Sequence, residues 1–214
     1  MSDIKVKICG LSTLATLDAA ISAGADMAGF VFFEKSPRHV SLETARMLGR
    51  AAGGRIRKVA LGVDASDADL DAMVEALRPD LLQLHGTETP ERVGAVKARF
   101  GLPVIKAIGV ATAADVARAA AYRGVADILL FDAKPEPKAA VPGGAGVVFD
   151  WELLRGQEGG DWMLSGGLDP DNVAEASRRT SAPAVDVSSG VESARGVKDA
   201  GRIAAFMAAA RAAR

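Results

Sequence analysis

Short apolar segments alternate with longer amphipathic segments along the chain. The apolar runs are rich in β-branched residues and begin near Ile4, Met27, Ile56, Asp80, Pro103, Asp127, Asp161 and Pro183. Their starts lie roughly 22 to 34 residues apart, which leaves space for one helix between consecutive strands. Apolar strands that alternate with helices predict a parallel sheet buried on both faces.

The boundaries between these segments carry residues that favour helix ends. Side chains or prolines typical of helix starts lie at Ser12–Thr13, Ser41, Asp67, Thr87–Pro90 and Asp169–Pro170. Glycines that favour helix C-termini lie at Gly24, Gly53–Gly54 and Gly101. We expect Pro170 in the first turn of its helix, where the missing N–H has no partner to lose.

Eight strand–helix units within 214 residues predict an α/β fold, a single (β/α)8 TIM barrel. The prediction treats residues 1–214 as one domain. An open doubly wound sheet is the alternative, and it commonly has a G-x-G-x-x-G sequence after its first strand. The first strand here ends in Cys9-Gly10-Leu11-Ser12, and that pattern does not follow, which favours the barrel.

Composition excludes several kinds of partner. Lys and Arg total 26 against 27 Asp and Glu, so the chain lacks the basic surface typical of nucleic-acid binding. No apolar run reaches the roughly 18 to 20 residues that a membrane span needs, and the N-terminus lacks a secretory h-region. Cys9 is the only cysteine, so an intramolecular disulfide cannot form. We therefore expect a cytoplasmic protein with no nucleic-acid or membrane partner.

Two units are longer than the others, and their extra residues follow strands. They are Glu34–Val40 after strand 2 and Ala133–Gly146 after strand 6, the second of which contains Gly143-Gly144-Ala145-Gly146. In a TIM barrel the loops that follow strands carry the active site, which favours a functional lid. A tolerated surface insertion is the alternative.

Strand 1 places the only cysteine at the C-terminal mouth of the barrel. Alternation directs Ile4, Val6 and Ile8 towards the helices and Lys5, Lys7 and Cys9 towards the barrel interior. A lone cysteine is more often a small buried apolar residue than a reactive group. Its position at the mouth of a barrel strand reverses that preference. We expect Lys7 to lower the pKa of the Cys9 thiol, which would suit a base.

Asp132 ends the predicted strand 6, which begins at Asp127. An aspartate in that position could instead cap a following helix, but the next residues include Pro135 and Pro137 and are not helix-like. Burial favours the protonated form of a carboxyl group, which suits a general acid.

Strands 7 and 8 both end in glycine-containing loops, Ser165–Leu168 and Asp186–Gly190. In phosphate-binding barrels these two loops and a short extra helix form the anion site. Glycines allow close approach of backbone N–H groups, which attract negative charge. We therefore expect the substrate to be bound by Gly166, Gly167, Asp186, Ser189 and Gly190.

The loop after strand 2 contains Arg38, next to Pro37. A solvated charge cluster is one interpretation. The alternative is an arginine aimed at a carboxylate, which a guanidinium binds through two hydrogen bonds. The two histidines, His39 and His85, lack the spacing of metal ligands, so we expect no metal site.

A set of short motifs occurs in one order over nearly the whole chain. The motifs are Lys7–Gly10, Gly29–Phe32, Ser36–Arg38, Gln83–Gly86, Phe131–Ala133, Phe149–Trp151, Ser165–Leu168, Asn172–Val173, Asp186–Glu192 and Lys198–Asp199. Together they resemble the phosphoribosylanthranilate isomerase family, and the set is far more specific than any one motif.

The resemblance implies a role for each matching residue. Cys9 would be the general base, Asp132 the general acid, and Arg38 the group that holds the anthranilate carboxylate. The glycine loops after strands 7 and 8 would hold the ribose phosphate. The implied reaction is the Amadori rearrangement of N-(5-phosphoribosyl)anthranilate in tryptophan biosynthesis. It needs a small phosphoribosyl substrate and no cofactor, and a monomer or homodimer would suffice.

One departure and three alternatives remain. The family's loop G-G-T-G-K-T-F-D-W has valines here at Val147 and Val148, which puts ligand contacts from those side chains in doubt. The isomerase of histidine biosynthesis uses two aspartates, and indole-glycerol-phosphate synthase uses a lysine and a glutamate, so Cys9 disfavours both. A non-catalytic sugar-phosphate-binding barrel is the alternative from another class, and the presence of Cys9 and Asp132 argues against it.

Overall fold

Eight parallel strands close into a barrel in the computed structural model, which describes residues 4–134, 148–157 and 161–213. The strands are β1 (Lys5–Cys9), β2 (Met27–Val31), β3 (Arg57–Gly62), β4 (Leu81–Leu84), β5 (Val104–Val110), β6 (Ile128–Ala133), β7 (Asp161–Leu164) and β8 (Ala184–Val187). Each strand pairs with its neighbours in chain order, and β8 pairs with β1 to close the barrel. The predicted fold class is confirmed, and each strand begins within one residue of its predicted start.

Helices cover the outside of the barrel. They are α1 (Leu14–Ser22), α2 (Leu42–Ala52), α3 (Asp67–Leu77), α4 (Pro90–Phe100), α5 (Ala113–Arg118), α6 (Val173–Thr180) and α7 (Ala200–Arg211). Short 3-10 segments lie at Ala119–Tyr122, Trp151–Leu154 and Ser189–Val191. A small antiparallel hairpin, β9 (Glu192–Ala194) and β10 (Val197–Lys198), follows the last of these.

Capping confirms most of the predicted helix boundaries. Thr13, Ser41 and Thr89 each accept a hydrogen bond from a backbone N–H in the first turn of α1, α2 and α4. Gly53 and Gly101 end α2 and α4 in the left-handed conformation, which glycine adopts without strain.

The predicted start of the helix after β7 is wrong in its position. The regular helix α6 begins at Val173, and Pro170 lies in the turn before it. The reason is local. The Asp169 carboxylate accepts hydrogen bonds from the N–H groups of Asp171 and Asn172, and the Asn172 side chain binds back to Gly167. These side-chain bonds satisfy the donors of a separate turn before the helix begins.

Alternate strand positions form two apolar layers. Outward residues such as Val6, Ile8 and Phe131 pack against the helices, and Phe131 meets the edge of Trp162 with ring centroids 5.8 Å apart. Inward residues fill the barrel and comprise Met27, Val59, Leu81, Ile105, Ala107, Leu130, Met163 and Ala184. This inner layer closes the barrel below its C-terminal mouth, so a ligand site is confined to the layer above it.

Lys5 and Lys7 share one face of β1 but have different surroundings. Lys7 is completely buried inside the barrel, as predicted. Lys5 lies on the same side of β1, in register with the inward-facing Ala184, but it is not enclosed, because 61% of its side chain is exposed and its Nζ lies 3.1 Å from Asp26. Lys5 stands at the N-terminal end of the strand, where the barrel opens to solvent.

The predicted glycine-rich lid, Gly143–Gly146, and Val147 lie outside the described residues. Val148 is described and exposed. Among the residues that the structure describes, none of the helices combines the length and apolar character that a bilayer crossing requires.

Candidate active site

One pocket opens at the C-terminal mouth of the barrel. Its walls include seven of the eight predicted site residues, namely Cys9, Arg38, Asp132, Gly166, Gly167, Asp186 and Ser189. The remaining wall is largely apolar and includes Val31, Phe33, Leu61, Val63 and Leu168. Gly190, the eighth predicted residue, does not line the pocket. Side chains from strands far apart in sequence thus meet at one mouth, as the closed barrel requires.

Cys9 lies at the end of β1, where a glycine on the next strand leaves it space. Its register partner on β2 is Gly29. A Cβ atom at Gly29 would lie 3.0 Å from the Cys9 sulfur and 3.0 Å from Lys7 Nζ. The thiol and the ammonium group therefore approach the same point, with Lys7 one pleat below.

The electrostatic surroundings of Cys9 contradict one prediction. Burial raises the pKa of the Cys9 thiol, the ammonium of Lys7 lowers it and the Asp186 carboxylate raises it, and the net direction is upward. Burial is the largest of these effects and outweighs Lys7, whose Nζ donates to Asp186 Oδ1 at 2.9 Å. The buried Asp186 carboxylate adds to the rise in the thiol pKa.

Asp186 occupies the layer directly below the pocket floor. Besides the pair with Lys7, its second carboxylate oxygen lies 3.3 Å from the Ser165 hydroxyl, which donates to it. Its carboxylate is therefore held by protein groups on two sides, although the residue also lines the pocket. In return Asp186 raises the pKa of Lys7, despite the opposing effect of burial, so the lysine stays charged.

Asp132 ends β6 inside the pocket and is buried. One carboxylate oxygen, Oδ1, accepts the backbone N–H of Ala133 at 2.9 Å. The other, Oδ2, lies 3.3 Å from Nε2 of His85. Gln83, on the same inward face as His85 and fully buried, places its amide Nε2 2.9 Å from His85 Nδ1.

Arg38 is buried at the rim and held by the β9–β10 hairpin. Its Nε and Nη2 donate to the two carboxylate oxygens of Glu192 at 2.6 and 3.0 Å. The aliphatic part of Arg38 packs on Gly10, whose φ is +79° and where a Cβ atom would lie 2.6 Å from Arg38 Cδ. Gly10 therefore provides both the turn after Cys9 and the space for the arginine.

Lys198 extends this ion pair towards Cys9. Its Nζ donates to Glu192 at 2.5 Å and to the carbonyl of Ser188 at 3.0 Å. The Ser188 hydroxyl in turn donates to the carbonyl of Cys9 at 3.1 Å. The hydrogen bonds lower the pKa of the Glu192 carboxyl to about 2, although burial opposes this shift. The rim that carries Arg38 is thus tied to the strand that carries Cys9.

The glycine loops after β7 and β8 adopt conformations that need glycine. Gly166 and Gly167 have φ values of 88° and 65°. A Cβ atom at Gly166 would lie 2.5 Å from the backbone nitrogen of Ala133. A Cβ atom at Gly190 would lie 1.9 Å from the carbonyl oxygen of Leu168, so Gly190 packs against the other loop. The two loops and the end of β6 are in close backbone contact.

Sequence reasoning gave no role to Gln83, Glu192 or Lys198, although each lies in a recognisable motif. The contacts that tie them to the predicted site join distant parts of the chain, since Arg38 and Glu192 are 154 positions apart and His85, the partner of Gln83, meets Asp132 across the barrel mouth. Within the described ranges no group of three or more His, Cys, Asp or Glu side chains has the arrangement of a metal site.

The family model and two similar relatives name the same enzyme family. The family model for N-(5'-phosphoribosyl)anthranilate (PRA) isomerase matches residues 6–209. The chain is 60% identical to the N-(5'-phosphoribosyl)anthranilate isomerase of Rhodopseudomonas palustris strain BisB5, covering 98% of this chain and 96% of that protein. It is 56% identical to that of Beijerinckia indica subsp. indica, covering 97% and 94%.

Solved structures agree as well. The phosphoribosyl anthranilate isomerase of Thermotoga maritima superposes with a TM-score of 0.86 at 35% identity, over 98% of this chain and 99% of that one. A phosphoribosyl anthranilate isomerase in complex with reduced 1-(o-carboxyphenylamino)-1-deoxyribulose 5-phosphate superposes with a TM-score of 0.84 at 33% identity, with the same coverage.

Proposed function

The chain belongs to the N-(5'-phosphoribosyl)anthranilate isomerase family, and we propose that Cys9 and Asp132 carry out its reaction as general base and general acid. It is an enzyme of tryptophan biosynthesis that isomerises N-(5'-phosphoribosyl)anthranilate through an Amadori rearrangement. One observation supports the two roles above others. The thiol and the carboxyl group line the same pocket, together with Arg38 and the glycine loops after β7 and β8.

In the first step Asp132 donates a proton to the ring oxygen of the ribose. The bond between that oxygen and C1 breaks, and the lone pair of the anthranilate nitrogen forms a C1–nitrogen double bond. Asp132 Oδ1 accepts the Ala133 N–H, which leaves Oδ2, on the side of His85, to carry the proton.

In the second step the Cys9 thiolate removes the proton from C2. The electrons of that C–H bond form a C1–C2 double bond, and those of the C1–nitrogen double bond return to nitrogen. The resulting enolamine loses the proton of its C2 hydroxyl and gains one at C1, which yields the ketone. The iminium nitrogen formed in the first step is the electron sink, so no cofactor is required.

Two charged ends of the substrate orient it. Arg38, which Glu192 holds in place at the rim, binds the anthranilate carboxylate as a charge-assisted donor. Gly166, Gly167 and Ser189 surround the phosphate with backbone N–H groups, and Gly190 supports them by packing the second loop against the first. Asp186 supports the floor of this site through Lys7 and Ser165. Fixing both ends holds the reacting carbons between the acid and the base, which supplies much of the rate gain by proximity.

Residues 1–214 act as one domain, as a monomer or a homodimer, and a solved relative is described as dimeric. A cytoplasmic location suits a thiolate base, because reducing compartments keep thiols unoxidised.

Substitution of each residue tests its role. Cys9→Ala and Asp132→Asn are each expected to lose at least ~10²-fold in kcat, since one proton-transfer group is removed. Asp161→Asn, which changes an exposed aspartate at the opposite end of β7, is the matched control and is expected to retain kcat. Binding of reduced 1-(o-carboxyphenylamino)-1-deoxyribulose 5-phosphate, the reduced product analogue, checks that the pocket is intact. Near-wild-type kcat in either variant would remove that residue from its role.

A further inference from the structure

Gln83, His85 and Asp132 form a buried line of polar groups across the barrel mouth. Gln83 and His85 lie one pleat apart on the inward side of β4 and the residue after it. Asp132 is two strands away on β6, and the strand between contributes Gly109 at the level of Asp132. No larger side chain from β5 occupies that level, and His85 Nε2 lies 3.3 Å from the Asp132 carboxylate.

The amide of Gln83 is partnered on one side only. Its Nε2 lies 2.9 Å from His85 Nδ1. Its Oε1 is buried and has no hydrogen-bond partner among the described residues. A buried polar atom without a partner is costly, and an apolar side chain would avoid that cost in the barrel interior. Packing alone therefore does not explain why position 83 carries an amide.

The side-chain amide of Gln83 can face His85 in two orientations that differ by a half-turn. One places the donor Nε2 next to His85 Nδ1, and the other places the acceptor Oε1 there. With Nε2 facing the ring, His85 Nδ1 accepts, so the ring proton is on Nε2 and points at Asp132. With Oε1 facing the ring, Nδ1 carries the proton, and Nε2 accepts from the side of Asp132. Each amide orientation therefore selects one neutral tautomer of His85.

These two tautomers match the two states of a general acid. A carboxylic acid that holds its proton donates a hydrogen bond, and the carboxylate left after proton transfer accepts one. Because catalytic hydrogen bonds commonly tighten when substrate binds, the 3.3 Å separation is close enough for either bond.

We propose that Gln83 and His85 are positioning residues for Asp132, in which the Gln83 amide sets the His85 tautomer that the protonation state of Asp132 requires. The acid thereby keeps its orientation before and after it gives up its proton. This inference rests on the proposed role of Asp132 as the general acid.

The two histidines of the chain make the tautomer directly measurable. Protein labelled with 15N-histidine gives two ring spin systems, and His39→Gln assigns them. In the ligand-free wild type at pH 8, His85 is expected as the Nε2–H tautomer, because the amide nitrogen of Gln83 faces its Nδ1. Gln83→Met, which keeps the volume but removes the amide, is expected to give a mixture of tautomers. An equal mixture, or an Nδ1–H majority, in the wild type would overturn the proposal without any variant.

Kinetics supply the second readout. Gln83→Met is expected to lower kcat by about 10-fold to 100-fold with little change in KM, because the substrate contacts remain. His85→Gln, which restores a donor and an acceptor beside Asp132, is expected to lose less kcat than His85→Leu. Met163→Leu, inside the barrel but away from the mouth, controls for general loss of packing.

The outcomes separate this inference from the proposed function. If Asp132→Asn retains kcat, the acid role itself is wrong. If Asp132→Asn loses kcat while Gln83→Met and His85→Leu keep wild-type kcat, the positioning role is wrong and the acid role stands.

Discussion

At the scale of single residues, Cys9 has surroundings that work against the charged form it must adopt. Burial and Asp186 raise its pKa, and Lys7 only partly offsets them. Lys7 and Asp186, 2.9 Å apart, therefore both influence the pKa of the Cys9 thiol. Either residue can be substituted while Cys9 is kept, and the two substitutions are expected to shift that pKa in opposite directions.

Asp186→Asn is expected to shift the ascending limb of the pH profile of kcat/KM, along which the base loses its proton, to lower pH. Removing the carboxylate charge deletes one cause of the raised thiol pKa and leaves Lys7 to favour the thiolate. Because a base works when deprotonated, a lower pKa extends activity to lower pH. Lys7→Met is expected to shift the same limb to higher pH.

The rate of iodoacetamide alkylation against pH measures this directly, since Cys9 is the only cysteine in the chain. Asparagine keeps an acceptor for Lys7, which limits the cost of leaving a buried charge unpaired. A limb that stays in place, or moves upward, in Asp186→Asn would show that this carboxylate does not act on the thiol.

Arg38→Ala is expected to weaken binding of the reduced product analogue by about 1.5 to 3 kcal/mol, as the loss of a charge-assisted hydrogen bond does. An analogue without the carboxylate is expected to bind Arg38→Ala almost as well as the wild type. Arg57→Ala, at the N-terminal end of β3 and exposed, is the matched control. Equal losses for both analogues would contradict a carboxylate contact.

At the scale of elements, the end of β6 and the loops after β7 and β8 form one packed unit. The loop after β7 touches the backbone next to Asp132 through Gly166, and Gly190 brings the loop after β8 onto the carbonyl of Leu168. An altered phosphate loop therefore affects the acid as well. Gly166 makes this contact with the end of β6, so its substitution is expected to affect the acid more than substitution of Gly167 does.

Gly166→Val and Gly167→Val are both expected to weaken inhibition by inorganic phosphate, because each needs a positive φ that valine resists. Ser189→Ala is expected to cause a modest loss, since the proposed contact there is a backbone N–H. Gly166→Val is further expected to lower kcat, because its side chain meets Ala133. Circular dichroism checks folding. Folded valine variants that bind phosphate as the wild type does would move the anion site elsewhere.

At the scale of the whole molecule, buried carboxylates couple stability to pH. Burial opposes ionisation of Asp115, yet the N–H groups of Ala111 and Thr112, together with Lys134, lower the pKa of its carboxyl from 3.8 to about 2. The pKa of Glu192 falls from 4.5 to about 2. A depressed carboxyl pKa stabilises the fold above the unfolded value, and that stabilisation is lost as pH falls through the folded value.

The free energy of unfolding is therefore expected to fall between about pH 4.5 and pH 2, as measured by urea denaturation across that range. Asp115→Ala is expected to be about 1 to 3 kcal/mol less stable at pH 7 because two backbone donors lose their acceptor. It is also expected to show a flatter dependence on pH. Asp171→Ala, an exposed residue, is the control. A slope unchanged in Asp115→Ala would exclude this carboxylate as a source of the acid sensitivity.

The sequence alone determined the order of the elements and the ends at which the chemistry lies. Strand starts near Met27, Pro103 and Pro183 could be predicted because apolar periodicity and helix caps act over a few neighbouring residues. Placing Cys9 and Asp132 at the same mouth needed only the rule that parallel barrel strands share one C-terminal face. The late start of α6 was missed because side-chain bonds of Asp169 and Asn172 formed a turn first.

Only the tertiary structure decided the electrostatics of the site. Burial of Cys9, together with Asp186, which pairs with Lys7 from 179 positions away, raises the thiol pKa, against the expected direction. Arg38 acquired Glu192 as a partner, and His85 was brought to Asp132, through contacts that closure of the barrel creates. Charge and desolvation act through space over a few ångströms, so they depend on which distant residues the fold brings together. Periodicity along the chain carries no information about those distances.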